Sequence, residues 1–423
     1  MKLDEFWERF QSVERKTKAL DFKVLGFQIW PLLRTKMFYQ ISTQIGIFDN
    51  PHPNPEPQEP GIPFEPTKAK SIVVPFSRKV NGEDPYSSWL MGYLDDPVLI
   101  EHSGDGGLDS HKPSFNEKYE EHVARAMRRL TKKDLPDKWR IIMEGFEKEF
   151  GVEINSYKEY PKWFIRRSIV EAIGFRSLFR KTKAKKLYIV NAYSHPTVVL
   201  GAKLANIRVY ELQHGFVSEL HPAYSYPDNK KIQSLPHVFL CWGEFWKESL
   251  HPAKNMLVKV LGAPKGFMQY MRKPRPKQEQ VLFTSQGAVG KKLFALAESV
   301  AMSDKNLKVI YRLHPNEDPV NYLSHVPNLE ISHKTPSFLD LVGSCEYLVG
   351  GFSTTLFEGA ALGCKVIVAD VPGIENIKRA IESGEFVLLE DHSPRSIYKA
   401  LNQARTVDAE KYYSLQRLEA LNA

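Results

Sequence analysis

The chain has 423 residues, 42% of them hydrophobic and 26% charged, with a net charge of +8. That is ordinary for a soluble globular protein and long enough for two domains, each with its own core. No apolar run approaches the ~18 residues of a membrane span, and the acidic, amphipathic start MKLDEFWERF does not read as a signal peptide. The three scattered cysteines, Cys241, Cys345 and Cys364, lack metal-ligand spacing and fit buried thiols in the cytoplasm.

In chain order, the first 50 residues read as helices and lead into a proline-rich connector, PHPNPEPQEPGIPFEP. Strand signals begin with SIVVPF at Ser71 and recur at residues 96–102, and three helical stretches are expected across residues 116–183. The last of these interleaves Phe164, Phe175 and Phe179 with Arg166, Arg167, Arg176, Arg180 and Lys181. It is either a sheet-covering helix with a solvated basic side or a face for an anionic membrane surface. Short apolar runs then recur as KLYIVNAY, IRVYELQ, HVFLCWG and VKVLGAP, as expected of a parallel sheet covered on both faces.

A second break, MRKPRPKQEQ, precedes a fresh α/β alternation through VLFTSQ, LKVIYRLHP, LEIS, EYLVGG, KVIVAD and EFVLLED. The expected organisation is a helical segment and connector at 1–66, an acceptor-side unit at 67–270 and a linker at 271–280. A nucleotide-binding unit at 281–405 and a terminal helix at 406–423 complete it. The fold class is α/β: two Rossmann-like domains whose parallel sheets face each other across a cleft. Open sheets of this kind bind ligands at the carboxyl ends of their strands, and the polar motifs all fall there.

The richest motif is VGGFSTTLFEGAALGCKVIVAD, residues 349–370. A buried strand ends in two glycines, which permit close backbone approach. A helix opened by Ser353 would aim its free N–H groups and positive dipole end at a phosphate. Glu358, four residues beyond Thr354, would face the same ligand and suit a ribose. A capped helix in any α/β domain would look the same. In the first half, ELQHG ends a strand with His214, a residue type suited to general-base work near neutrality, and Glu211, which either orients the imidazole or is itself the base. In the second half, RLHPNE supplies Arg312 and His314 as a clamp for a departing diphosphate, and Thr284, Ser285 and Gln286 form a polar loop suited to lining the donor phosphate.

Neither Asp-x-Asp, a Walker A loop nor a GxGxxG after a strand occurs, so no metal or cofactor is expected, and ATPase and dehydrogenase readings lose support. No aromatic strand motif or recognition helix accompanies the basic stretch, so nucleic acid is not an expected partner.

Taken together, ELQHG, RLHPNE and GGFSTTLFEGAALGCKVIV resemble the HG, HP and S(S/T)xxxE motifs of bacterial surface-polymer transferases of the GT-B fold. That group includes teichoic-acid CDP-glycerol glycerophosphotransferases and the capsule and polysialic-acid transferases. The resemblance spans residues 186–370. It implies a metal-independent, inverting glycosyltransferase using a nucleotide-activated sugar donor and a glycan acceptor, lipid-linked acceptors included, at the inner membrane face. His214 would be its base, His314 a donor-phosphate contact, and Ser353, Thr354 and Glu358 its phosphate and ribose anchors. Gln213 before His214, and GGFST in place of an aspartate-containing stretch, point to a sugar rather than glycerol phosphate. A UDP-sugar 2-epimerase, drawing on Glu211 and Glu101, and a non-catalytic carbohydrate-binding scaffold remain the alternatives.

Overall fold

A computed structural model describes residues 1–48, 68–76, 84–100, 137–154, 156–273, 275–287, 289–315 and 317–422. The proline-rich connector, the predicted helices over residues 116–136, Glu101 and Asn316 lie outside the described residues.

Two α-helices, Leu3–Thr17 and Trp30–Gln44, open the chain, with a hairpin between them that the sequence reading missed, β1 (Lys23–Val24) and β2 (Phe27–Gln28). Leu25 and Gly26 form its two-residue turn, both at positive φ (49° and 86°). The helices bury Phe6, Phe10, Trp30 and Phe38 against Phe146 of the helix Asp137–Phe150. Within that core Arg34 and Glu14 form a fully buried ion pair at 2.6 Å, and Arg34 also donates to the carbonyls of Pro222 and Ser225. Removing one partner of such a pair typically costs about 3–5 kcal/mol, because the other charge is left stranded. The N-terminal helices are thereby fixed to the loops of the first sheet.

That sheet contains β3 (Ser71–Val74), β4 (Pro97–Leu99), β5 (Lys186–Val190), β6 (Arg208–Leu212), β7 (Val238–Cys241) and β8 (Leu257–Val260). Its order is β4-β3-β5-β6-β7-β8, all parallel. The basic helix Ser156–Thr182 lies along the helix Pro196–Leu204, so closely that a Cβ on Gly201 would fall 2.3 Å from that of Phe175. It buries Ile165, Ile169, Ala172 and Phe179 while Arg180 and Lys181 stay exposed, so an apolar side packs inward and the basic end remains open to solvent.

The second sheet contains β9 (Gln278–Thr284), β10 (Lys308–Arg312), β11 (Leu329–Ser332), β12 (Cys345–Gly350), β13 (Lys365–Val368) and β14 (Val387–Leu388), in the order β11-β10-β9-β12-β13-β14. It too is parallel throughout. Each sheet reverses its winding once, between β3 and β5 in the first and between β9 and β12 in the second, and open sheets of this kind take ligands at the carboxyl end of such a reversal. Two parallel six-stranded sheets clothed in helices make the α/β, two-domain, GT-B-like fold that the strand signals predict.

Residues 406–422, expected as one helix, instead form a four-residue helix (Ala409–Tyr412) and a 3-10 turn (Leu418–Asn422). They lie on the first unit: Trp246 Nε1 donates to Tyr412 O at 2.7 Å, and Tyr188 Oη donates to Leu421 O at 2.9 Å. Glycine is required beneath this segment. A Cβ on Gly243 would sit 2.5 Å from Lys411 O, and Gly262 (φ +101°) lies equally close to Leu415 O.

Candidate active site

His214 follows β6 at the first reversal. Its turn is braced by the buried Gln213, whose amide donates to Gly215 O at 2.9 Å while its oxygen accepts from Trp242 N at 3.0 Å. The imidazole is half-buried in an aromatic wall. Phe76, beyond β3, lies 5.2 Å away between ring centroids; Tyr193, beyond β5, lies at 5.9 Å, and Tyr86 at 6.3 Å. Asp84 orders the first of these loops, its carboxylate accepting from the backbone amides of Phe76, Tyr86 and Ser87 at 2.9–3.1 Å. Such a wall offers flat apolar surface with polar rims, suited to a sugar ring.

Glu211 does not serve as an orienter of His214. It is fully buried, and Oε1 accepts from Tyr224 Oη at 2.7 Å and from Ala192 N at 2.9 Å, while Oε2 has no partner among the described residues. Burial pushes its carboxyl up to about 8, against the opposing pull of the Tyr224 and Ala192 hydrogen bonds. Glu211, the alternative base, is therefore a buried carboxyl beneath the wall that holds its proton more tightly than an ordinary carboxyl does.

In the second unit the helix Thr354–Ala361 starts directly after β12. Ser353 caps it by accepting from Thr355 N at 3.3 Å. Its first N–H groups and positive dipole end address the crevice between β9 and β12. Gly350 and Gly351 permit the close packing there: a Cβ on either would fall within 2.9 Å of Thr284 Oγ1 or Gln286 Oε1. Glu358 is half-buried, and among the described residues its carboxyl makes no hydrogen bond. Loss of water raises its pKa to about 7.

The remaining expected donor residues are engaged internally. Gln286 forms a reciprocal pair with the Phe352 backbone at 3.1 Å in each direction. Thr284 donates to Val349 O at 3.4 Å, and Ser285 donates to Glu317 at 2.9 Å. Arg312, expected beside the departing phosphate, turns instead to the sheet edge, where it donates to Ser332 Oγ and Pro336 O at 2.8 Å and to Lys334 O. It ends β10, and its side chain reaches the neighbouring β11, whose carbonyl-rich exit satisfies the guanidinium. His314, just past β10, is half-buried, with its backbone amide held by Glu317 Oε2 at 2.7 Å.

The two halves meet through contacts that the sequence alone did not reveal. Phe216, two residues beyond His214, packs on Phe357, one residue before Glu358, at 5.8 Å. Ser218 donates to Asn376 Oδ1 at 2.8 Å across the interface. Among the described residues no cluster of three or more His, Cys, Asp or Glu could hold a metal ion. No described helix is long and apolar enough to cross a membrane.

No protein-family model matches the chain, and no curated protein matches it. Solved structures of similar outline include the UDP-GlcNAc 2-epimerase of Methanocaldococcus jannaschii in complex with UDP-GlcNAc and UDP (12% identity, 83% of this chain and 96% of that one, TM-score 0.43). They also include the UDP-GlcNAc 2-epimerase of Neisseria meningitidis bound to UDP-GlcNAc (12%, 81% and 96%, 0.45). The calicheamicin glycosyltransferase is a third (13%, 82% and 92%, 0.44). Likenesses this distant carry no argument about activity; the fold rests on the strand orders above.

Proposed function

We propose that the chain is a metal-independent glycosyltransferase that moves a sugar from a nucleotide-linked donor to a surface-polysaccharide or lipid-linked glycan acceptor. The observation that carries this reading is the packing of the His214–Ser218 loop of one unit onto two elements of the other, the Ser353 helix through Phe216–Phe357 and the 3-10 turn Ile374–Ile377 through Ser218–Asn376. It sets the aromatic, histidine-bearing crevice beside the crevice that offers a helix N-terminus and Glu358.

His214 would take the proton of an acceptor hydroxyl whose sugar rests on Phe76, Tyr86 and Tyr193. The hydroxyl oxygen forms a bond to the anomeric carbon as the bond to the diphosphate breaks, and the configuration inverts. The electron pair leaves on the diphosphate, where the N-terminus of the Ser353 helix and His314 stabilise it. Ser353 and Thr354 would hold phosphate, and Glu358 the ribose. Thr284, Ser285 and Gln286 shape this crevice from behind. The exposed cations of the helix Ser156–Thr182 suit a peripheral contact with anionic lipid.

The test is calorimetric binding of UDP, CDP, GDP and CMP, followed by incubation of the cognate sugar nucleotide with and without glycan acceptors. Nucleotide release that depends on acceptor supports transfer. Acceptor-independent conversion of the sugar would establish the epimerase reading instead, and binding without turnover the scaffold.

A further inference from the structure

Tyr413 enters the interface on the returning C-terminal segment. Its ring lies between Trp242 (centroids 5.3 Å, interplanar 21°) and Phe267 (4.4 Å, 42°) and is 1% exposed. Among the described residues its hydroxyl has no hydrogen-bond partner, a condition that folded proteins tolerate at few positions. Two groups act on that hydroxyl electrostatically: Glu358 of the second unit and Tyr86 of the first. The helix Ala409–Tyr412 lies against the helix Thr354–Ala361, with Tyr412 and Phe357 at 5.1 Å, so Tyr413 leaves the end of the same helix contact in which Glu358 follows Phe357.

A carboxylate grips two ribose hydroxyls best when ionised, since both oxygens then accept. In so dry a place ionisation requires a donor at its back. Tyr413 offers one that is otherwise unspent. We infer that Tyr413 is a positioning residue of the donor site: its hydroxyl holds the Glu358 carboxylate when a nucleoside diphosphate enters the crevice, and so couples docking of the C-terminal segment to donor binding. The inference rests on the donor role given to Glu358 above.

The experiment uses the full chain, with UDP and CDP as probes in titration calorimetry and hydrogen exchange. Tyr413→Phe keeps the stacked ring and removes only the hydroxyl. Affinity should fall about tenfold, the scale of one charge-assisted hydrogen bond. The melting temperature should not fall, because no hydrogen bond of the free protein is lost. In a Glu358→Gln background the same change should have no further effect. Nucleotide should slow amide exchange over residues 408–422 in the wild type and not in Tyr413→Phe. A Tyr413→Phe protein that binds as wild type, or effects that simply add, would overturn the inference while Glu358 sensitivity left the donor reading standing. Failure of UDP, CDP, GDP and CMP alike to bind, or indifference to Glu358→Gln, would remove that reading and this inference with it.

Discussion

Replacing Glu211 with glutamine should change how the protein's stability depends on pH. The folded state holds this carboxyl's proton up to about pH 8, whereas the ordinary carboxyl of the unfolded chain releases it near 4.5. Because the folded pKa is the higher one, the proton favours the folded state fully below about pH 4.5. That contribution is lost as pH rises through 8. Each pH unit in which only the folded state holds the proton is worth about 1.4 kcal/mol. Between pH 5 and pH 8 wild type should therefore lose roughly 3–4 kcal/mol through this one group.

Glutamine keeps the oxygen that accepts from Tyr224 and Ala192, and it does not titrate. The variant should match wild type near pH 5 to within about 1 kcal/mol and exceed it near pH 8.5 by an amount approaching the full loss. Glu358, pushed up to about 7, tilts both proteins alike and drops out of the difference. Urea unfolding at a series of pH values, followed by tryptophan fluorescence, provides the comparison. Parallel curves for the two proteins would refute the buried, neutral carboxyl and return Glu211 to the list of candidate bases.

His214→Ala should lower turnover by about 10²–10⁴-fold, the range for a lost general base, with nucleotide affinity unchanged in calorimetry. Glu358→Gln should weaken nucleotide binding by about tenfold or more through loss of charge-assisted hydrogen bonds, with little change in melting temperature. Arg312→Ala should act chiefly on stability, costing about 1–3 kcal/mol in urea midpoint, because the acceptors at Ser332 and Pro336 lose a buried donor; a large fall in kcat with intact stability would place the guanidinium at the leaving group after all. Ser218→Ala removes the hydrogen bond to Asn376 across the interface and should raise the donor KM more than it lowers kcat.

The architecture was legible because parallel strands buried on both faces must be apolar along their length. KLYIV, KVIV and their like announced themselves, and the polar residues that end them fell at the carboxyl edge. What escaped notice depended on distance along the chain. Arg312 and His314 were expected together as a clamp for the departing diphosphate, yet the strand ends at Arg312, so strand alternation does not carry both side chains to one face. The partners of Arg312 lie 20–24 residues further on, across a neighbouring strand. Glu211 carried a readable warning: a lone acid within IRVYELQ, between residues that pair into the middle of a sheet, has no route to water, and its burial follows from the strand itself.

Tyr413 gave no such warning. It falls within residues 406–423, which were expected as one terminal helix, and nothing in that stretch marks Tyr413 as the residue to be buried. The glycines at 243 and 262 mattered here, since each leaves room for a passing backbone rather than for a turn alone. An α/β unit whose strand exits end in glycine invites the question of what lies on top of them. In this chain the answer is its own C-terminal segment, threaded from the second unit back to the first, with Tyr412 packed on Phe357, the residue before Glu358, along the way.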